Sequence, residues 1–308
     1  MSFDLLFCRR ADQPQLTAEE VEQAMAKLPH VEALPDEHSR GPGYMYANPD
    51  TGVYCFFTLR AEPEEDEPVA EGESCDVRST PLRFSLNYVR PSFFAAEAMP
   101  LAVQLAEELE LLICDLSGDP PEVGGEACRY SADELIKRWE PGNVFGVRYG
   151  CRDIPDFPTH CPRERLEYYW QYGSHSQALK QLYDEPYIIV PAMAVHRPRE
   201  GGDGVLLFAW ADMYPSVLPE ADYVMIRRAR PRLGGLLKRE EVGVMSLEEL
   251  RRIVGTYLKA RAQPVPHLLY EEREPPRELT EALLEAPLME QEAYEGVPID
   301  EVVDVRPE

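Results

Sequence analysis

Apolar residues follow two different periods along this chain. Between residues 82 and 88 every second position is apolar, which is typical of a strand with one buried face. Between residues 21 and 28 the apolar positions recur every three to four residues, which indicates an amphipathic helix. Because segments of both kinds occur in each half of the chain, the sequence predicts a fold that mixes helices and strands.

Three capping boxes predict where helices begin. In each box a Ser or Thr precedes a Glu by three residues, so that each side chain satisfies the backbone amide of the other residue. The boxes are Thr17–Glu20, Ser131–Glu134 and Ser246–Glu249. They predict helices over residues 17–28, over residues 131–139 before Pro141-Gly142, and from residue 246 to about Arg261.

Two turn sequences predict hairpins in the chain. Asn48-Pro49-Asp50-Thr51-Gly52 separates two strand-like segments, and so does Gly201-Gly202-Asp203-Gly204. Together with a first strand at residues 2–8 and a helix at residues 95–109, the first half has the predicted order β-α-β-β-β-α-β. This order predicts an α+β fold with helices on one face of a largely antiparallel sheet, and a ferredoxin-like winding with an extra strand is one way to build it.

The proline-containing segment 150–162 is the predicted boundary between two α+β halves. We expect a first domain over residues 1–150 and a second over 151–270, each with a mainly antiparallel sheet and flanking helices. The second begins with a helix over residues 163–183, broken near Gly173, and continues as an antiparallel meander. Residues 271–308 hold 13 acids and three arginines, and we expect a partly disordered acidic tail there.

The charge balance narrows the range of partners. The chain has 31 Lys and Arg against 56 Asp and Glu, a net charge of −25, which repels nucleic acids and anionic membrane surfaces. No segment approaches the roughly 18 apolar residues of a membrane span. The first apolar run precedes its charges rather than following them, unlike a secretory signal. We therefore expect a cytoplasmic protein without nucleic-acid or membrane partners.

One segment has the opposite charge. Residues 225–262 contain ten basic and four acidic residues, a net charge of +6, which leaves −31 for the rest of the chain. This basic island is able to bind phosphate groups, the acidic tail of the same chain or a partner protein. The surrounding negative charge favours the tail or a partner protein over nucleic acid.

The sequence contains no spacing typical of metal or disulfide sites. None of the seven cysteines forms a C-x-x-C pair, and three of them (Cys8, Cys55 and Cys114) lie in apolar, strand-like runs. Four residues of the types that bind zinc lie close together in the sequence, but they lack the short paired spacing of known zinc sites. These residues are Cys151, His160, Cys161 and His175. We therefore predict reduced cysteines, no metal and no cofactor.

Catalytic motifs are also missing from the sequence. There is no glycine-rich phosphate loop and no G-x-S-x-G element. The nearest Ser–His cluster, Gly173-Ser174-His175-Ser176, is more simply interpreted as a break in a helix. Catalytic residues therefore stay unassigned, and the number of acids makes any single carboxylate pair uninformative.

Two features instead indicate protein binding. An acidic loop, Glu62–Glu73, is expected to be mobile and to speed association with a basic partner. An aromatic run cannot be wholly buried on one helical face, so part of it is a candidate anchor, with core packing between the halves as the alternative. The predicted partner-binding residues are Glu64, Glu65, Asp66 and Glu67 in the loop and Tyr168, Tyr169, Trp170 and Tyr172 in the run.

In its general character the chain resembles bacterial cytosolic proteins of the toxin-immunity type. The likeness lies in the start Met1–Phe7, the early helix at Thr17–Glu20, the acidic balance and the lack of a catalytic signature. It includes no shared motif, so no residue role carries over. The resulting hypothesis is a non-catalytic protein that binds a basic protein such as a toxin through an acidic face. A hydrolase whose site is assembled from scattered residues is the alternative.

Overall fold

The computed structural model describes residues 1–34, 42–60, 77–116, 127–152, 154, 157–184, 187–211, 213–232 and 237–307, with the backbone alone at 229–232 and 237–239. Over these residues the chain forms seven α-helices and 17 strands in mostly antiparallel sheets, which confirms the predicted α+β class. None of the described helices is long and apolar enough to cross a membrane. The chain divides into unit 1, Met1–Pro158 with Val305–Glu308, and unit 2, Thr159–Asp304.

Over its described residues, unit 1 contains six strands and three helices. The strands are β1 (Ser2–Arg10), β2 (Val31–Leu34), β3 (Gly43–Ala47), β4 (Tyr54–Leu59), β5 (Val77–Asn87) and β6 (Leu112–Asp115). The helices are α1 (Ala18–Met25), α2 (Ser92–Glu108) and α3 (Ala132–Phe145), and a π-helical turn, Gly146–Gly150, follows α3.

The sheet of unit 1 is antiparallel throughout, in the order β2-β3-β4-β5-β1-β6. β1 lies between β5 and β6, as in a ferredoxin-like winding, and two strands rather than one are added at the edge. Helix α2 packs on β4 and β5, and both α1 and α3 contact α2. The core forms between β5 and α2. Its buried residues include Phe84 and Leu86 of β5 and Phe94 and Ala98 of α2, which are removed from water.

The capping boxes form as the sequence predicts at two of three helices. Thr17 and Ser131 each accept a hydrogen bond from the Glu amide three residues on, and each Glu side chain bonds back. At the third box Ser246 accepts from the Glu249 amide, but the Glu249 carboxylate bonds to Arg252 instead. Local sequence therefore fixes the start of each of these helices.

Helix α3 continues past Pro141, where the sequence predicted that it ends. Proline lacks an amide proton and normally breaks a helix, so tertiary contacts must compensate. The buried Asn143 donates from Nδ2 to the carbonyl oxygens of Tyr88 (2.5 Å) and Arg90 (2.9 Å), and Trp139 and Val147 are fully buried. These contacts, which sequence periodicity does not reveal, extend the helix to Phe145.

Over its described residues, unit 2 contains eleven strands and four helices. The strands are β7 (Thr159–His160), β8 (Met193–Pro198), β9 (Val205–Ala211), β10 (Ser216–Pro219), β11 (Tyr223–Arg232), β12 (Leu237–Ser246), β13 (Leu258–Arg261), β14 (His267–Tyr270), β15 (Met289–Glu290), β16 (Tyr294–Val297) and β17 (Val302–Val303). The helices are α4 (Arg163–Ser174), α5 (Ser176–Leu182), α6 (Leu247–Val254) and α7 (Arg277–Glu285).

The strands of unit 2 form three sheets. The largest has the order β15-β12-β11-β9-β8-β16, a second has the order β10-β14-β13, and β17 pairs with β7. The expected antiparallel meander is interrupted, since β9 and β11 are parallel neighbours. The reason is that β10, which separates them in sequence, pairs with β14 in the second sheet.

Two expectations for the C-terminal third differ from the structure. The helix that starts at Ser246 ends at Val254, and residues 258–261 form β13 because they pair with β14. The predicted acidic tail contains α7, β15, β16 and β17 rather than irregular chain. Leu279 and Leu283 of α7 are buried, and β16 pairs with β8. Long-range pairing thus outweighs the unfavourable local composition of this segment.

Candidate functional site

The predicted aromatic anchor packs inside unit 2. Tyr172 of α4 is buried, and its hydroxyl donates to the Pro191 carbonyl at 3.0 Å. The Tyr168 hydroxyl donates to the Pro266 carbonyl and accepts from the Glu220 amide, both at 2.8 Å. Tyr169 and Trp170 are half-buried, so none of the four side chains is largely exposed. The acidic loop residues Glu64, Glu65, Asp66 and Glu67 lie outside the described residues.

The exposed aromatic residues of unit 1 lie elsewhere, at the end of α3. Phe145 and Tyr149 are 58% and 52% exposed, and their ring centroids are 5.1 Å apart. The side chain of Met1, also exposed, reaches Gly146 and Gly150 of the π-helical turn so closely that a side chain at Gly150 would collide with it. Turns of π-helix occur often at functional sites. Sequence periodicity did not single out these residues, because Phe145 lies beyond Pro141.

Acidic residues cluster where α1 meets the C-terminal end of α2. Glu19 and Glu22 of α1 are exposed, and so are Glu107, Glu108 and Glu110 at the end of α2. Among them, Glu108 forms an ion pair with Lys27. The last turn of α2 contains no basic residue, so three carboxylates stand at the negative end of the helix dipole. This arrangement is locally unfavourable.

A buried arginine joins the two helices at this surface. Arg9 of β1 is 8% exposed, and it donates to the Leu109 carbonyl at 3.2 Å and to the Glu20 carboxylate at 3.1 Å. It also donates to the Pro14 carbonyl. Two bonds from the capping-box residue Thr17, assisted by Arg9, lower the pKa of Glu20 to about 2. The guanidinium thus fixes the start of α1 against the end of α2.

Glu110 has a backbone conformation that side chains rarely adopt. Its φ is +53°, and it occupies the position after the C-cap that is usually Gly or Asn. Its amide donates to the Glu107 carbonyl at 3.2 Å, and the Leu111 amide donates to the Ala106 carbonyl at 2.7 Å. Both bonds are those of a Schellman motif, in which a non-glycine residue costs about 1–2 kcal/mol. Glu107-Glu108-Leu109-Glu110 is the sequence signal that pattern analysis missed.

A cavity of about 320 Å³ opens beside these carboxylates. Its apolar lining comes from α2 and from the start of β6, and its charged rim from Glu107, Glu110 and Arg129. The full lining is Val103, Ala106, Glu107, Glu110, Leu111, Ile113, Arg129 and Tyr130. The two rim carboxylates outnumber the Arg129 guanidinium, so the cavity suits a long cationic side chain. Its aliphatic part would contact the apolar lining while its charge reaches Glu107 and Glu110. We call it the acid-rimmed cavity.

Two adjoining cavities in unit 2, of about 360 and 370 Å³, share Arg165 and Asp222 in their linings. Asp222 forms an ion pair with Arg165 at 2.8 Å, and its other oxygen accepts from the Leu206 amide at 2.8 Å. Arg165 also reaches the Gly204 carbonyl at 3.3 Å. Arg165 and Asp222 bond to each other and to these two backbone groups, so they are suited to joining α4 to the sheet.

The residue types considered for metal or nucleophilic chemistry are engaged in the protein interior. Burial raises the pKa of the Cys8 and Cys161 thiols to about 12 and that of Cys114 to about 11, so these thiols stay protonated. His160 bonds through Nδ1 to Asp203 at 2.9 Å. Within the described ranges, no group of three His, Cys, Asp or Glu side chains is placed to hold a metal ion.

Comparison of the chain with protein-family models, with curated proteins and with solved structures finds no match. Any function must therefore be argued from the residues of the site itself.

Proposed function

We propose that the protein acts by binding another protein, and that a basic surface of this partner docks on the acidic face of unit 1. This face is the cluster of exposed carboxylates Glu19, Glu22, Glu107, Glu108 and Glu110. The finer form of the proposal is an immunity protein that neutralises a basic toxin in the cytoplasm without catalysis. A cationic side chain of the partner enters the acid-rimmed cavity.

The charge distribution between the two units supports this proposal. Unit 1 contains 31 acidic and 14 basic residues, a net charge of −17, whereas unit 2 contains 25 acidic and 17 basic residues, a net charge of −8. An excess of one sign steers a partner of opposite charge and raises its association rate. Of the two units, unit 1 is therefore favoured as the docking site for a basic protein.

The observation that carries the proposal is Glu110 beside the cavity. Its left-handed backbone costs stability, and its carboxylate stands at the negative end of α2, where a glycine would avoid both costs. Residues that break local rules are expected where function requires them. A cation bound between Glu110 and Glu107 offsets the electrostatic cost.

The decisive variant is the double substitution Glu107→Gln with Glu110→Gly. Glycine at position 110 relieves the left-handed backbone, so we expect the melting temperature to stay equal or rise by about 2–4 °C. Both carboxylates are lost, so affinity for the basic partner should fall about tenfold or more. The measurement is capture of the partner from extract of the source cell at low salt, followed by titration calorimetry with the purified partner.

A matched control keeps the charge change and moves it to unit 2. Glu278→Gln with Glu292→Gln also removes two exposed carboxylates, and partner affinity should change less than twofold. The proposal is wrong if the captured protein is not basic. It is also wrong if the variant at 107 and 110 binds as tightly as the wild type.

A further inference from the structure

A buried histidine in unit 2 is bonded at both of its ring nitrogens. His267 begins β14, the central strand of the three-stranded sheet, and is 1% exposed. Its Nδ1 lies 2.7 Å from the Val265 carbonyl oxygen, and its Nε2 lies 2.7 Å from the Tyr183 hydroxyl. Because a carbonyl only accepts, Nδ1 carries a proton. The Tyr183 hydroxyl can donate to or accept from Nε2, and burial favours the neutral imidazole, in which the hydroxyl donates.

Tyr183 connects this imidazole to a helix. It is the residue directly after α5, and its amide donates to the Leu179 carbonyl at 3.0 Å, which closes the last turn of that helix. The Tyr183 ring meets the His267 ring edge to face, with centroids 5.6 Å apart and an interplanar angle of 84°. The hydroxyl of Tyr183 therefore ties the C-terminal end of α5 to β14.

The charged groups around the pair disfavour a second positive charge. Arg261 of β13 lies directly opposite His267 in the strand register and also hydrogen-bonds to the Tyr183 hydroxyl. The negative charge of Glu271, just after β14, interacts with the Tyr183 hydroxyl. Glu271 also forms an ion pair with Lys259 of β13.

Among the described residues, the other elements packed on His267 place neutral groups beside it. On β10 the residue opposite is Pro219, and α4 contributes the neutral Tyr168 hydroxyl at the Pro266 carbonyl. Asp184 follows Tyr183 on the exposed side. Burial lowers the pKa of His267, and the charge of Arg261 adds to this against the opposing bond to Val265.

We propose that Tyr183 and His267 form an acid-sensitive latch, in which neutral His267 holds the end of α5 on the β10-β14-β13 sheet and uptake of one proton by Nε2 releases it. The proton comes from solvent, and Tyr183 keeps its own. Protonated Nε2 is a donor, so the Tyr183 hydroxyl would have to turn its own proton away and accept while it also bonds to Arg261. The new imidazolium charge also faces the Arg261 guanidinium. The latch is closed at neutral pH and opens as the pH falls.

The coupling between proton uptake by His267 and opening of α5 sets how strongly the latch responds to pH. In the open state His267 is solvated and titrates near its ordinary value of about 6.5, whereas in the closed state it stays neutral to lower pH. Between these two values the opening equilibrium of α5 takes up one proton. It should therefore rise as the pH falls below about 6.5, with a limiting slope of about tenfold for each pH unit.

Hydrogen exchange of the α5 amides in the full-length protein tests the latch, with rates corrected for the intrinsic pH dependence of exchange. From about pH 6.5 to about pH 5.5 the opening constant of the wild type should rise by up to about fivefold. In His267→Gln it should not depend on pH. In Tyr183→Phe it should already be raised at neutral pH. His175→Gln, at the other end of α5, is the matched control and should respond as the wild type does.

Nitrogen-15 NMR of the imidazole in the wild type provides a test that needs no variant. The latch requires a protonated Nδ1 and an unprotonated Nε2 at neutral pH. It is overturned if the proton lies on Nε2, if opening of α5 in the wild type does not change with pH, or if His267→Gln responds to acid as the wild type does.

Discussion

Two buried arginines each cap the C-terminal end of a helix. Arg9 donates to the Leu109 carbonyl after α2, and Arg228 donates to the Leu283 and Ala286 carbonyls at the end of α7, at 2.6 and 2.7 Å. Both also bind a carboxylate, Glu20 and Glu241 respectively. A cation at the negative end of a helix satisfies carbonyl groups that lack partners within the helix. Arg228 thus joins the basic island to the predicted tail.

We expect Arg228→Met to lower the free energy of unfolding by about 2–4 kcal/mol. The side chain is only 5% exposed, so its loss leaves two carbonyls and the Glu241 carboxylate without their donor. Urea denaturation measures the effect. Arg251→Met is the control, because Arg251 and Glu220 form an exposed pair at 3.5 Å that should contribute less than about 1 kcal/mol. Equal losses in the two variants would contradict the capping role of Arg228.

At the scale of elements, local sequence determines where helices start. The capping boxes at α1 and α3 form in full, and the hairpin turn at residues 48–52 joins β3 to β4 as predicted. These motifs need only residues within one turn, so their energy does not depend on distant packing. Helix ends and short strands were predicted less well, as Pro141 within α3 and the strand β13 demonstrate.

The capping box of α1 should make stability depend on pH in the acid range. The pKa of Glu20 is lowered from 4.5 to about 2, chiefly by hydrogen bonds from Thr17. The carboxylate therefore stabilises the fold fully above about pH 4.5, and this stabilisation is lost as the pH falls towards 2. Thr17→Ala should lower the free energy of unfolding by about 1 kcal/mol at neutral pH.

The control for this prediction is Glu20→Gln, in which position 20 no longer titrates. Acid titrations followed by circular dichroism should show a shallower loss of stability below pH 4.5 in both variants than in the wild type. A wild type and a Glu20→Gln variant that lose stability in parallel would contradict the assignment to Glu20.

At the scale of the whole molecule, charge is divided unequally between the units. Unit 1 has −17 and unit 2 has −8, although unit 2 contains the basic island. Several cations of the island bind partners within unit 2: Arg228 binds Glu241, Arg252 binds Glu249, and Lys259 binds Glu271. Of these pairs, Lys259–Glu271 joins the island to the predicted tail.

Neutralising the predicted loop residues Glu64, Glu65, Asp66 and Glu67 together to the amides should slow association with the basic partner several-fold. Long-range attraction acts mainly on the encounter rate, so the melting temperature should hardly change. Raising the ionic strength from about 0.1 to about 1 M shortens the screening length from about 10 to about 3 Å and should remove most of the difference. Stopped-flow mixing measures the association rate.

The matched variant removes four exposed carboxylates of unit 2 instead: Glu274, Glu278, Glu285 and Glu292. It carries the same change in net charge, so association should slow less if the acidic face lies on unit 1. Equal slowing in both variants would indicate that only the net charge matters. An association rate that does not depend on salt would contradict the acidic-face proposal.

The sequence by itself determined the α+β class, the helix starts and the main hairpin, because alternation, helical periodicity and capping are local properties. Tertiary structure alone decided the rest. It extended α3 past Pro141, paired β13 and the tail strands with distant partners, and buried Tyr172 of α4 while leaving Tyr168, Tyr169 and Trp170 half-buried. It also brought Glu107, Glu110 and the apolar lining together in one cavity. These features depend on contacts between residues far apart in the chain, and such contacts leave no periodic signal in a single sequence.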